Sequence, residues 1–462
     1  MAMGKRERQR QQRLWVESER LAKGPSHPFY SRLNQILNQR GFDDFAEAAC
    51  KPFYAECMGR PSLPPGVYFR LLLLGYFEGI DSERGIAWRV ADSIGLRDFL
   101  GLTLTDATPD HSTISRTRRL IDLGTHQEVF AWVLAVLAKE KLVRGETLGI
   151  DATTLEANAA LRSIVRRDSG ESYEEFLTRL AKASGIETPT REDLARLDRE
   201  RPGKGSNQDW EHPHDPDARI TKMKDGRTHL AHKAEHAVDM ETGAIVAVTV
   251  QPADRGDTAS IGETVQEAMD VLADVLEDEA AAEQLDGEVL SEIVADKGYH
   301  SNAVLTGYEA LGIRSYISEP KRGRRRWRGK TAAQHATYAN RRRVRGERGK
   351  RLLRRRGEML ERGFAHVYDT GGMRRAHLRG RRNIAKRVLI HAAGCNLGLV
   401  MRKHLGCGTP RGLQGAAGRV LGALGAVVPL LHAFRRLLLA LRPHSLLQRV
   451  FAWPHSPRLA AA

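Results

Sequence analysis

Apolar residues recur every three or four positions through much of the first third of the chain. YFRLLLLGYFEGI (68–80) and HQEVFAWVLAVLAKEKLV (126–143) follow this spacing, which predicts helices with a buried face. Between them, DSERGIAWRVADSIGLRDFLGL and TPDHSTISRTRRLI predict shorter helices. The first is opened by Asp81 or Ser82 and the second by Asp110 or Ser112, side chains that can accept a hydrogen bond from a free N–H of the first turn. The second places Arg116, Arg118 and Arg119 on a short helix after a turn. That arrangement suits a helix-turn-helix reader of DNA, and equally a helical bundle with surface arginines.

At Gly145 the period changes. A strand-like run, TLGI, ends at Asp151, and a polar segment from about 159 to 218 follows, rich in Pro, Gly, Asn and charge, as expected of an insertion or exposed excursion. HLAHKAEHAVDMETGAIVAVTVQPA then alternates as a hairpin whose turn is Glu241-Thr242-Gly243. A helix over about 260–283 precedes a short buried strand, EIVA, with Asp296 at its end, and IRSYISEP is a fifth strand candidate. RRRGEMLERGFAHVY and NIAKRVLIHAAGCNLGLVMRKHL read as helices, and beyond Gly406 a Leu, Ala, Gly and Arg-rich tail reads as a loosely packed helical appendage. The fold class is α/β, preceded by an all-α region. The expected division is a basic segment 1–26, a helical DNA-binding domain 27–145, an α/β domain 146–403 and a tail 404–462.

Charge placement changes the picture more than bulk composition does. The 462 residues are 41% hydrophobic and 28% charged, which excludes collagen-like, mucin-like and wholly disordered chains. Seventeen Lys or Arg lie between Lys321 and Arg356 against one acid, Glu347, so this segment carries the whole formal excess of +16. A concentrated basic stretch matches a phosphate backbone; a solvated arm without a defined partner is the plainer reading. Four scattered cysteines point to a reducing compartment. The basic N-terminus lacks a secretory apolar core. The apolar run Val420 to Phe434 contains Pro429 and is too short to span a bilayer. A cytoplasmic protein without a membrane partner is expected.

Asp151 and Asp296 each close a buried strand, and adjacent parallel strands would bring them together. Two close carboxylates repel unless protonated or bridged by cations, and oxygen donors suit Mg2+ or Mn2+. Paired ions about 3.5–4 Å apart can assist both oxygens of a phosphodiester displacement. Turn-capping at strand ends is the ordinary alternative. Lys297 and Tyr299 beside Asp296 would contact phosphate or orient the carboxylate, or else serve a tight turn at Gly298; Asp254 and Asp257 read as turn formers. His212, His214, His229, His232 and His236 lack an accompanying Cys and make a poor zinc set. No nucleotide-binding fingerprint is present.

The ordered set GIDATTLEANA, HLAHKAEHAVDMETG, VADKGYHSN, MLERGFAHV and HLRGRRNIAKRVLIHAAGCNLGL resembles bacterial insertion-sequence transposases of the DDE type, over about residues 27–403. The resemblance implies a ribonuclease H-like mixed sheet flanked by helices, in which two aspartates and a later glutamate hold two divalent ions. It makes Asp151 and Asp296 the aspartates. Glu361, in Glu361-Arg362 followed by Phe364, becomes the third acid, with Glu358 one turn earlier able to take the role. Arg354 and Gly357 stand where some groups carry Tyr and Arg, and Arg381 and Arg382 precede Asn383 where many relatives carry Glu. The implied activity is Mg2+- or Mn2+-dependent cleavage and strand transfer at transposon ends. The alternatives are a catalytically inactive, decayed or domesticated DNA-binding protein, and a nuclease without strand transfer. The partners are double-stranded DNA, both terminal inverted repeats and target, and a second copy in the DNA complex. Phosphate contacts would come from Arg116, Arg118, Arg119, Lys297, Lys321, Arg322, Arg324, Arg325, Arg326, Arg328, Arg341, Arg342 and Arg343.

Overall fold

The computed structural model describes residues 26–55, 62–201, 205–223, 226–285, 289–321, 323 and 325–413; the Leu/Ala/Arg-rich stretch from 414 onward, like the basic segment 1–25, lies outside them. Helices α1 (Pro28–Gln39), α2 (Phe42–Cys50), α3 (Pro65–Glu78), α4 (Glu83–Ala91), α5 (Ile94–Phe99), α6 (His111–Leu120) and α7 (Leu123–Lys139) precede the first strand. Their starts follow cap chemistry: Ser82 accepts from the Gly85 N–H at 3.1 Å, Asp110 from Ser112 at 2.8 Å and Asp122 from Thr125 at 2.8 Å. From Tyr68 to Phe77 every residue of α3 is buried, as a helix apolar on all sides must be.

The sheet is built from β1 (Thr147–Glu156), then, after the two-stranded pair β2 (Val165–Arg166) and β3 (Trp210–Glu211), from β4 (Arg219–Lys222), β5 (Thr228–Asp239), β6 (Ile245–Pro252), β7 (Glu292–Ala295) and β8 (Arg314–Ile317). The first strand is central. It pairs antiparallel with β5 and parallel with β7; β8 continues the parallel side, and β6 and β4 pair with β5. The hairpin turn falls at Glu241–Gly243 as the alternation predicts, with Gly243 at a positive φ of 81°.

Inside the insertion lie α8 (Tyr173–Ala183) and α9 (Arg191–Glu200), each opened by a reciprocal capping box, Ser172 with Glu175 and Thr190 with Asp193. Ile164, Trp210, Ala218 and Leu230 form a small separate core with Tyr173 and Phe176. The segment expected to be an insertion or an exposed excursion carries helices and a small core of its own.

After α10 (Asp257–Leu276) and α11 (Glu279–Ala282), α12 (Asn302–Ala310) leads to β8. Then come α13 (Thr331–Arg345), α14 (Glu347–Phe364), which runs into a π-turn at Ala365–Thr370, and α15 (Arg381–Leu405). Residues of α3, α7, α15 and the sheet belong to one buried cluster, so the all-helical region and the mixed sheet share a core. The stretch Arg381–Leu413 is long and apolar enough to cross a membrane, but 83% of its apolar window is packed inside the protein. Asn396 on α15 satisfies both backbone groups of Ile245 on β6, accepting at 2.8 Å and donating at 2.8 Å. The first residue of this edge strand thereby has its backbone groups satisfied by a helix side chain.

His126 on α7 is fully buried, its ring nitrogens 2.6 Å from the Asp122 carbonyl and 3.0 Å from the Tyr68 hydroxyl. Burial pushes its pKa down to about 3, against ~6.5 in an unfolded chain. The folded state thus binds fewer protons, so the stability is complete above pH ~6.5 and is lost as pH falls from there toward the folded value. Urea denaturation at pH 7 and pH 4.5 is expected to show a loss of about 2–3 kcal/mol from this residue; His126→Gln removes that part of the slope, and an unchanged slope would contradict the assignment.

Candidate active site

Register decides which acids meet. Ile150 on β1 pairs with Ala295 on β7 in parallel, so the next residues, Asp151 and Asp296, leave adjacent strands side by side. On the same sheet face, Gly149 lies under α14: a β-carbon there would stand 2.5 Å from the Met240 sulfur and 3.0 Å from Leu360. The strand does not end at Asp151; β1 continues to Glu156 because β5 stays paired with it after β7 has stopped.

The two carboxylates are held differently. Asp151 accepts from the Arg356 guanidinium at 2.8 Å and from the Ala152 N–H at 2.8 Å. Burial raises its pKa, Arg356 opposes that rise and the charge of Asp296 adds to it. Asp296 accepts from the Gly298 N–H at 2.7 Å, capping the turn Lys297–Tyr299. A β-carbon on Gly298 would lie 2.5 Å from Oδ2 of Asp257 and 3.0 Å from Oδ1 of Asp296. Asp257, at the first turn of α10, therefore stands beside Asp296, a placement the sequence reading left to a turn.

Behind this rim lies a buried polar network. Lys233 donates to Asp257 at 2.6 Å and to Ser260 at 2.8 Å. Glu235, fully buried, accepts from Ser260 at 2.8 Å, Thr264 at 2.5 Å and Tyr299 at 2.9 Å. Burial first, then the charges of Glu235, Asp257 and Asp151, push the Tyr299 hydroxyl far up, so it stays a neutral donor.

Glu361 is not brought to the pair. It is exposed on α14, roughly 140° round the helix from Arg356, and Glu358 is roughly 160° away; it is Arg356 that faces Asp151. The pair offers two hard oxygen donors suited to a divalent cation. Among the described residues no three His, Cys, Asp or Glu side chains form a metal-holding group. The donors fit an ion at the pair, and a three-acid set with Glu361 is not assembled.

The basic residues divide. Arg116 and Arg119 on α6, Lys297, Lys321, Arg326, Arg328 and Arg342 are exposed. Arg118 is buried, donating to Glu83 at 2.7 Å and to Asn383 at 2.5 Å, and so is spent inside the fold. Arg325 and Arg341 both pair with Glu319, and Arg343 donates to the Ser315 carbonyl. Arg322 and Arg324 lie outside the described residues. His232 sits 3.2 Å from Asp215, and His236 sits 2.6 Å from the Tyr368 hydroxyl.

Two family models match the chain. The Transposase domain (DUF772) covers residues 17–120 and the Transposase DDE domain covers residues 206–397. No curated protein and no solved structure matches. The first match spans most of the helical region. The second takes in β5 to β8, Asp296 and most of α15, while β1 with Asp151 lies between the two. With both matches in chain order on one fold, the chain belongs to the insertion-sequence transposases of the DDE type.

Proposed function

We propose that this DNA transposase cuts phosphodiester bonds at the ends of its element and joins them to target DNA in a reaction that depends on Mg2+ or Mn2+. The observation that carries the reading is the parallel register of β1 and β7, which sets Asp151 and Asp296 side by side. The strand order, three antiparallel strands followed by two parallel ones with helices on both faces, agrees with a ribonuclease H-like fold.

In the proposed sequence water attacks a phosphodiester, a P–O bond breaks and the 3′-oxygen leaves as a hydroxyl. That 3′-hydroxyl then attacks a target phosphodiester, and the target's own 3′-oxygen departs, so bonds broken and formed balance. Asp151 and Asp296 would hold the divalent ion, which supplies Lewis acidity to the phosphoryl oxygens. Lys297, exposed beside Asp296, would meet a phosphate oxygen, and Arg356 would neutralise the carboxylate pair or turn to the same phosphate. Glu361 is proposed as the third acid and would have to approach with DNA in place. Arg116, Arg119 and the exposed residues of the 321–356 segment would hold backbone phosphates, and two copies would pair the two ends.

The test is incubation of the full chain with a duplex carrying the terminal repeats, a target plasmid and Mg2+. Joined products support the reading. Cut but unjoined ends would make the protein a nuclease, and tight, salt-sensitive DNA binding with no cutting would make it a binding protein. Loss of products in Glu358→Gln but not in Glu361→Gln would reassign the third acid.

A further inference from the structure

Away from the aspartates, a pocket of about 90 Å3 opens between the β5–β6 turn, α14 and α15. That is room for several waters. Its lining includes Arg362, His366 and Arg402 and no carboxylate. Neither guanidinium has a hydrogen-bonded or ion-paired partner among the described residues, although many arginines of this chain are paired, Arg341 with Glu319 for instance. Four of the walls are glycines: Gly243, Gly363, Gly398 and Gly408. Gly398 and Gly408 touch so closely that a β-carbon on either would stand 2.9 Å from the other's carbonyl oxygen. The small walls leave backbone and the Thr242 and Thr409 hydroxyls within reach of a ligand.

A second groove on the outward side of α14 shares Arg362 and Met359 with the pocket and is lined by Arg351, Arg354 and Arg355, with Glu358 its one acid. The arginines thus form a track that ends in the pocket. Guanidinium groups present planar forks of donors that match phosphate oxygens. We propose that the pocket binds a phosphate group, that of a DNA strand lying along the outward side of α14, at a site separate from the one where bonds are broken. The pocket shares no residue with the aspartate pair, so a phosphate held here is positioned away from Asp151 and Asp296.

The test uses the full chain without divalent cation, so its result does not depend on the cleavage reading. His366 is a built-in reporter: burial lowers its pKa, and Arg402 and Arg362 lower it further. An anion seated between them offsets the two positive charges, so inorganic phosphate is expected to raise the pKa read from the His366 ring resonances by NMR, as is a 30-base-pair duplex. The double variant R362Q/R402Q is expected to weaken duplex binding by about tenfold at moderate salt and to flatten the slope of log affinity against log salt by about 1–2. R362K/R402K keeps the charges and most of the slope. Unchanged duplex affinity and slope in R362Q/R402Q would overturn the proposal, as would a His366 resonance indifferent to both probes. A response to inorganic phosphate with duplex binding intact would make this a free-anion pocket and overturn the DNA assignment.

Discussion

Asp151→Asn and Asp296→Asn are each expected to lower cleavage of a terminal-repeat duplex in Mg2+ by about a thousandfold, with DNA binding nearly unchanged. Asn keeps the shape of Asp and loses the charge that would hold a cation. Forfeiting several kcal/mol of charge stabilisation in phosphodiester displacement corresponds to roughly three powers of ten. Binding should survive because the contacts proposed to hold DNA come from arginines and lysines elsewhere. With both aspartates in the one proposed site, the double variant should fall little below either single one. Single-turnover cleavage alongside filter binding separates these quantities. Full-rate cutting by either variant would remove the aspartate pair from the chemistry.

Glu235→Ala is expected to cost about 3–5 kcal/mol of folding stability, the range for stripping one partner from a buried charge network. Glu235 is fully buried and serves Ser260, Thr264 and Tyr299, with Lys233 3.5 Å away. Its removal leaves the Tyr299 hydroxyl without its acceptor, leaves Ser260 to the Asp257 carbonyl and Thr264 to Thr249, and leaves Lys233 relying on Asp257 for its charge partner. Glu235→Gln keeps an acceptor and should lose less. Because Tyr299 and Asp257 are anchored by the same network, whatever Glu235→Ala protein still folds should also cut slowly. Urea midpoints would show the ordering wild type, Gln, Ala; equal midpoints would mean the network contributes nothing.

Much of this arrangement was legible in the sequence where the signal is local. Helical spacing located α3 and α7, and alternation located the β5–β6 hairpin with its turn. An acid closing an apolar run placed Asp151 and Asp296 at strand level, although nothing local showed that β1 runs on to Glu156. What escaped depends on partners far away in the chain. Lys233, Glu235 and Asp257 become one network only when β5 packs on α10, and Arg118 is consumed by Glu83 and by Asn383, a residue 265 positions later. The angular position of Glu361 follows from helical spacing alone. Gly349, Leu352, Arg356, Leu360 and Phe364 recur at three- and four-residue steps along α14, and that stripe packs inward. It puts an arginine, and neither glutamate, against Asp151.

The folded insertion departs and returns at nearly one point, since the Ala157 N–H donates to the Leu230 carbonyl at 2.9 Å. A tight hairpin could occupy that junction as well as the seventy-odd residues that do. Lengthening a loop whose ends already touch adds closure entropy only logarithmically. Evolution can therefore graft, trim or exchange this module at little thermodynamic cost, while the neighbouring strand pairing that aligns Asp151 with Asp296 keeps its register.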